Sequence, residues 1–313
     1  METEPEVCVV LPVYHEPIPL IKRAADSILA QTYGNYRVLL VLDDPQNEEA
    51  ESFLSEYCAK HRHFTLRVNP KNMGLAKSLN HAISTIESEL ICRMDADDVS
   101  HPNRIERQVS YLLEHNLDLV GSYMNVVNED GTFLYKVDRL PTSPKAVAKA
   151  LSYNNCVMHP SWLGKASLFM QGYRQMPLSE DYDFLLRAVA SSAAIGNCPE
   201  ILLDYTLSAN SISRTNLYRQ FLFQKVLTSR YKIKKTISVE EAVSIVDSEW
   251  SAEKENRYSN AYAIVNSFLG HESPGSQLSQ ILTLGFSLLK SPAYIRKLYR
   301  LVATQAIGRK DSK

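Results

Sequence analysis

The sequence predicts an α/β protein, a mostly parallel sheet with helices on both faces, followed by a helical C-terminal region. Three observations carry that prediction. Up to about residue 117, short β-branched runs alternate with segments of helical periodicity. Each run ends in a polar cluster, as expected where a parallel sheet presents a ligand-binding carboxyl edge. From about Thr215 onward the runs cease and the chain is helical in character.

The strand-like runs are "VCVVLPVY" from Val7, "YRVLLVL" from Tyr36, "FTLRV" from Phe64 and "LICRM" from Leu90. Between them, Ile21, Ala24, Ala25, Ile28 and Leu29 recur at helical spacing. Leu75, Leu79, Ile83 and Ile86 do the same, and so do Ile105, Val109, Leu112 and Leu113 in a helix predicted to start near Pro102. Further on, "LVGSYMNVVNEDGTFLYKV" predicts two strands joined at Asp130-Gly131. "PLSEDYDFLLRAV" predicts a helix capped by the Ser179 side chain. A boundary near residue 214 divides residues 1–214 from a helical unit at 215–313.

Composition narrows the classes. With 45% hydrophobic and 22% charged residues the chain is an ordinary globular one. No apolar stretch approaches the roughly 18–20 residues of a membrane-spanning helix, and the start Met1-Glu2-Thr3-Glu4 is acidic where a secretory signal is basic. A cytoplasmic location is therefore expected. A net charge of −1 argues against nucleic acid as a partner. Cys8, Cys58, Cys92, Cys156 and Cys198 are scattered and odd in number, so they are read as small hydrophobes and not as disulfides or zinc ligands.

The informative segment is "CRMDADDVSHP", which places Asp95, Asp97 and Asp98 within four residues at the end of an apolar run. Like charges so close repel, and a divalent cation such as Mg²⁺ or Mn²⁺, which takes oxygen ligands and shares them with substrate phosphates, would relieve that repulsion. The sequence has no G-x-G-x-x-G and no P-loop, so a metal is expected to take the phosphate-holding role. The alternative is that these acids cap the next helix and pair with Arg93 or Arg104.

"VVLPVYHE", Asp43-Asp44, "NMGLAKSLNHAI", "MDADD" with "HPNRIERQ", and "SEDYDFLLR" come in the order and spacing of a known family. Over roughly residues 7–210 the sequence resembles family 2 glycosyltransferases of the Rossmann-like GT-A fold, the bacterial enzymes that build surface polysaccharides such as lipopolysaccharide, capsule and exopolysaccharide. The resemblance implies a nucleotide-sugar site in residues 1–214, with Pro12, Val13, Tyr14 and Glu16 at the base and ribose. Asp43 would bind the uracil imide, Asn72 and Gly74 would flank the nucleotide, and Asp95 and Ala96 would line the donor. Asp97 and Asp95 would hold Mn²⁺ or Mg²⁺, with Asp98 a further ligand candidate.

The same resemblance makes Asp181 the general base and Glu180 an acceptor-binding residue, in an inverting transfer from a UDP-sugar to a glycan or lipid-linked acceptor. His159, in "HPS", is either an acceptor contact or a structural hydrogen-bonding residue. Arg214 is a candidate mobile-loop cation for the diphosphate. No Q-x-x-R-W run is present, so one sugar is expected per acceptor. Ser179, Glu180, Asp181 and Asp183 also fit a plain acidic helix start.

Competing readings are a sugar nucleotidyltransferase, an Asp-nucleophile phosphatase, or a non-catalytic sugar-binding relative. The first needs a Gly-rich basic loop after strand one, whereas "PVYHEPIP" has neither Gly nor Lys. The second needs a Thr after a D-x-D near strand one, whereas residue 99 is Val and the cluster follows strand four. Finally, Lys290, Arg296, Lys297, Arg300, Arg309, Lys310 and Lys313 face one acid, Asp311, and Tyr294, Leu298 and Leu301 share a helical face. That pattern predicts a peripheral contact with an anionic membrane leaflet or, equally, a helix packed on the catalytic domain.

Overall fold

The computed structural model describes residues 4–208, 216–269 and 285–311. All four expected strands form: β1 Val7–Val13, β2 Tyr36–Leu42, β3 Phe64–Val68 and β4 Leu90–Arg93. They run parallel, in the order β3-β2-β1-β4. The sheet continues through β8 (Leu163–Lys165), β6 (Leu119–Val127), β9 (Ile195–Thr206) and β5 (Val99–Ser100), with β7 (Phe133–Val137) paired to β6. β8 is antiparallel to both neighbours, whereas β6 and β9 are parallel. The β6–β7 hairpin turns at Asp130-Gly131 as its sequence predicts; Gly131 has φ 85°, a left-handed backbone that favours glycine.

The parallel strands alternate between two cores, as a sheet covered on both faces requires. Val7, Val9, Leu11 and Val13 point into one, with α1 (Ile18–Leu29), α2 (Glu48–Lys60) and α4 (Arg104–Glu114). Cys8 and Val10 point into the other, with α3 (Leu75–Ile83), α5 (Pro144–Leu151) and α7 (Glu180–Ala190); the short α6 (Ala166–Phe169) adds Phe169 to it. Four cysteines are buried and all five are free thiols. The periodicity overreaches at helix ends. Leu29 and Leu113 are exposed, and α3 ends at Ile83, short of Ile86. α4 starts at Arg104 behind Asn103, two residues later than expected.

After residue 216 the described chain is helical: α8 Leu217–Lys232, α9 Val239–Glu249, α10 Ala252–Leu269 and α11 Pro292–Asp311. Tyr218, Phe221, Tyr258 and Tyr294 join the core cluster that contains Trp162 and Phe184. This corrects the face assigned to α11. Tyr294 is buried, edge-on to Tyr258 and Tyr262, and Leu298 packs against the core. Leu301, expected on the same face, is exposed; the outward apolar residues are Ile295, Tyr299, Leu301 and Val302, of which Ile295, Tyr299 and Val302 are spaced i, i+4 and i+7. Lys297 and Arg300 point inward, to Asn154 and to the Tyr153 carbonyl. The single acid of this segment, Asp311, accepts four hydrogen bonds from the backbone and hydroxyls of Thr142 and Ser143 and so anchors the start of α5.

Candidate active site

Strand register builds the first wall of the site. Val13 pairs with Leu42 and Leu42 with Val68, so β1, β2 and β3 end flush and release Tyr14, Asp43 and Asn69 side by side. Asp43 is buried. Its Oδ1 accepts from Asn69 Nδ2 at 2.7 Å and from Met73 N at 3.0 Å, and its Oδ2 accepts from Gly74 N at 2.8 Å. Asn72 accepts from the same Gly74 N–H at 3.0 Å and donates to Tyr14 Oη at 2.9 Å. Gly74 holds φ 75° at the start of α3, a turn a side chain would strain. The Tyr14 ring is exposed and stacks on His15, while Glu16 accepts from Tyr14 N at 2.7 Å. Val13 and Ala96 have buried side chains, so only their backbones face the site, and the Val13 carbonyl already accepts from Asp43 N.

Asp95, Asp97 and Asp98 each place a carboxylate oxygen within 4.8 Å of the others. Their loop is held from the far side of the sheet: Thr206 Oγ1 donates to the Asp97 carbonyl at 2.6 Å, and Arg23 Nη2 does so at 3.0 Å. Thr206 N donates to Asp98 Oδ1 at 2.8 Å, leaving Asp98 Oδ2 buried without a partner. Burial, then the charges of Asp95 and Glu16, push the Asp97 carboxyl up to about 7. Burial, then the charges of Asp95 and Asp97, push Asp98 well above the carboxylate range. Three hard oxygen donors with one buried oxygen unclaimed fit a divalent cation. Asp95 does pair with Arg93, but none of the acids caps α4. Arg104 is instead buried among the Gln108 side chain and the carbonyls of Arg93 and Pro160, stapling β4 to the 3₁₀ turn His159–Ser161.

The opposite wall is the start of α7. Asp181 Oδ1 accepts from Tyr182 N at 2.6 Å and Oδ2 from Asn155 Nδ2 at 2.8 Å. Ser179 is the N-cap residue, yet its hydroxyl makes no capping bond and is buried without a partner. The reason is local: the Tyr182 N–H a capping serine would take is already bound by Asp181. Burial raises Asp181, and burial and then the Asp181 charge raise Glu180 to about 7. Asp183 is structural, buried between Arg174 and Arg187. His159 is buried, bonded to Tyr173 Oη at 3.0 Å and edge-on to Trp162, which places it in the packing of the turn; burial and the Arg93 charge keep its imidazole neutral.

Two residues join these walls that the motifs do not mark. Arg93 is 3% exposed, pairs with Asp95, and leaves its Nε and Nη1 without partners. Its charge pulls the pKa values of Asp97, Asp98, Glu180 and Asp181 down together, against the larger upward push of burial. In sequence it shows only as a charge interrupting an apolar strand. Asn155, which holds Asp181, gives no sequence signal. Arg214 lies outside the described residues.

A mixed sheet with helices on both faces, carrying an acidic cluster and an acidic helix start at its carboxyl edge, is the architecture of GT-A glycosyltransferases. The family model "Glycosyl transferase family 2" matches residues 8–172, more than half of the chain, and the protein belongs to that family. An O-antigen biosynthesis glycosyltransferase of Escherichia coli is 30% identical over 220 residues, covering 65% of this chain and 84% of that protein. Two solved structures share the fold at 16% identity. A mannosyltransferase of Pyrobaculum calidifontis, in complex with GDP-Man and Mn²⁺, superposes with a TM-score of 0.59 over 99% of this chain and 88% of its own. S. aureus TarS 1–349, in complex with UDP-GlcNAc, gives 0.58 over 97% and 89%. Among the described residues no helix is long and apolar enough to cross a membrane.

Proposed function

We propose that the protein is an inverting, divalent-metal-dependent transferase that moves one sugar from a nucleotide-sugar, expected to carry UDP, to a glycan or lipid-linked saccharide acceptor in surface-polysaccharide synthesis. The observation that carries this reading is the placement of the Asp95-Asp97-Asp98 cluster and the Glu180-Asp181 pair around one buried cation, Arg93.

In this reading Tyr14, Asp43, Asn72 and Gly74 receive the nucleotide, and Asp97 and Asp95 hold the metal, with Asp98 Oδ2 free to join. The ion's contribution is to neutralise the diphosphate as it leaves. Asp181 takes the proton of the acceptor hydroxyl; each of its oxygens accepts a single hydrogen bond in the structure, leaving lone pairs for that proton. Burial raises its basicity toward the working pH, which favours general-base catalysis. Glu180 beside it orients the acceptor. Attack from the face opposite the leaving group inverts the anomeric centre. Residues 1–214 are read as the catalytic unit and 215–313, helical in its described residues, as its support.

The outward face of α11 supports a peripheral membrane contact. Ile295, Tyr299 and Val302 are exposed in a row. Tyr299 meets Tyr153 edge-on, and Lys232 lies over the Tyr153 ring, so the exposed run Lys232-Ile233-Lys234-Lys235 borders the same surface. With Lys290, Arg296, Arg309 and Lys310, this is an apolar strip edged in positive charge, suited to an anionic leaflet and worth about 1 kcal/mol per engaged cation.

The direct test is release of nucleoside diphosphate from a panel of UDP-glucose, UDP-galactose, UDP-GlcNAc and GDP-mannose, with Mn²⁺ or with excess chelator. Release with one donor, lost in chelator and in Asp97→Ala, is expected. Full release in chelator would remove the metal from the account.

A further inference from the structure

The inner face of α11 reaches the catalytic wall. Lys297 Nζ donates to Asn154 Oδ1 at 3.1 Å and to Gln224 Oε1 of α8 at 3.4 Å. One turn later, Arg300 donates through Nε to the Tyr153 carbonyl, and through Nη2 to the Gln224 carbonyl and Thr228 Oγ1, both at 3.4 Å. Tyr153 and Asn154 follow the C-terminus of α5 and directly precede Asn155, whose amide holds Asp181 Oδ2. Asn155 is itself fixed at its other end, where Oδ1 accepts from Val157 N at 3.1 Å. α5 is braced at its start as well, by Asp311 from the last turn of α11, and Gly308 packs so close to the Arg139 carbonyl that a Cβ would lie 2.4 Å from it. The C-terminal helix thus grips both ends of the segment that presents Asn155.

What makes this more than packing is the choice of residues. Among the described residues, neither Lys297 nor Arg300 pairs with a carboxylate; their partners are carbonyls, side-chain amides and hydroxyls, that of Tyr182 included, and the Arg300 guanidinium lies over the Phe221 ring. Two inward-turned cations without counter-ions are a poor way to stabilise a fold, because apolar side chains of similar size do so without the desolvation cost. They are a good way to fix carbonyl dipoles at a helix C-terminus and hold the following loop in one conformation.

We propose that Lys297 and Arg300 are positioning residues for the transfer reaction: α11 fixes the Tyr153–Asn155 segment, and Asn155 in turn holds the Asp181 carboxylate in its working orientation. This inference rests on the reading of Asp181 as the base. A displacement of about 1 Å at a reacting group costs as much as 10²-fold in rate, so a small slackening of this segment is enough to register.

The test is a double-mutant cycle on the full chain. Lys297→Met is expected to lower kcat for the selected panel donor about tenfold, with donor KM changed less than twofold and the melting temperature equal to or above wild type. Hydrogen exchange of the amides at 152–158 is expected to rise. Lys297→Arg, which keeps a cationic donor, restores the rate. Asn154→Ala, which removes the loop's acceptor and leaves the helix intact, reproduces the loss. Because the route runs through Asn155, Asn155→Ala with Lys297→Met is expected to be no slower than Asn155→Ala alone.

Wild-type kcat in Lys297→Met and Asn154→Ala, or losses that multiply in the double variant, would overturn the inference. Asp181→Asn separates the two claims. Full turnover by that variant overturns the base assignment and this inference with it; an inactive Asp181→Asn beside a fully active Lys297→Met overturns the inference alone.

Discussion

Asp43→Asn is a near-isosteric change at the hinge of the donor wall, and its cost follows from the hydrogen bonds. The carboxylate accepts three: from Asn69 Nδ2 and Met73 N on Oδ1, and from Gly74 N on Oδ2. An asparagine loses least with its oxygen at the Oδ1 position, so its amide then faces the Gly74 N–H. That loss is softened because Gly74 N keeps Asn72 Oδ1 as an acceptor. A hydrogen bond to a buried charged group contributes about 1.5–3 kcal/mol and a neutral one about 0.5–1.5. One charged bond lost at the low end and two reduced to neutral sum to about 3.5 kcal/mol. For a chain of 313 residues that corresponds to a fall in melting temperature of roughly 5 °C. The assay is thermal unfolding with and without UDP and Mn²⁺; the variant melts lower and its ligand-induced shift shrinks, because the 69–74 loop is tied to β2 by fewer and weaker bonds. A melting point within 1 °C of wild type with an unchanged UDP shift would refute the reasoning.

Two further outcomes are expected. The folded-state pKa values of Asp97 and Glu180, at about 7, lie above their unfolded values, so both groups favour the folded state when protonated and withdraw that favour as pH rises from about 4 through 7. Asp97→Asn without metal is therefore more stable than wild type at pH 8 and nearly equal at pH 4, as thermal melts across that range will show; an equal difference at both pH values contradicts it. On the outer face of α11, Ile295→Asp with Tyr299→Asp leaves the fold intact, since both side chains are exposed, and abolishes low-salt sedimentation with phosphatidylglycerol vesicles. Equal sedimentation of variant and wild type, or a concentration-dependent dimer that the variant loses, removes the membrane reading.

The sequence discloses the parallel half of the fold because its four strands are short, β-branched and separated by clean helical periods. It conceals β9 because Pro199 and Glu200 interrupt the run; in the structure the register jumps there, from Ser122–Cys198 to Tyr123–Ile201, so a strand reads as two fragments. β8 is three residues long and β5 two, below what any pattern detects. The acidic cluster is legible because carboxylates crowded after an apolar strand require a reason. Asn155 and Thr206 are not, because each acts on a residue 26 to 109 positions away and neither residue type is unusual in a loop or strand end. α11 misleads for a different reason: apolar residues line two of its faces, and periodicity alone does not say which one meets the core.

The central claim is that Asp181 removes the acceptor proton while the donor is held elsewhere, by Asp43 and the Asp95–Asp98 cluster. The most direct measurement is Asp181→Asn, with UDP and Mn²⁺ binding and sugar transfer measured on the same preparation. Binding within about twofold of wild type with transfer reduced about 10²–10⁴-fold is the predicted result, since that is what a positioned base contributes. Transfer near the wild-type rate, or loss of binding in step with transfer, would contradict it.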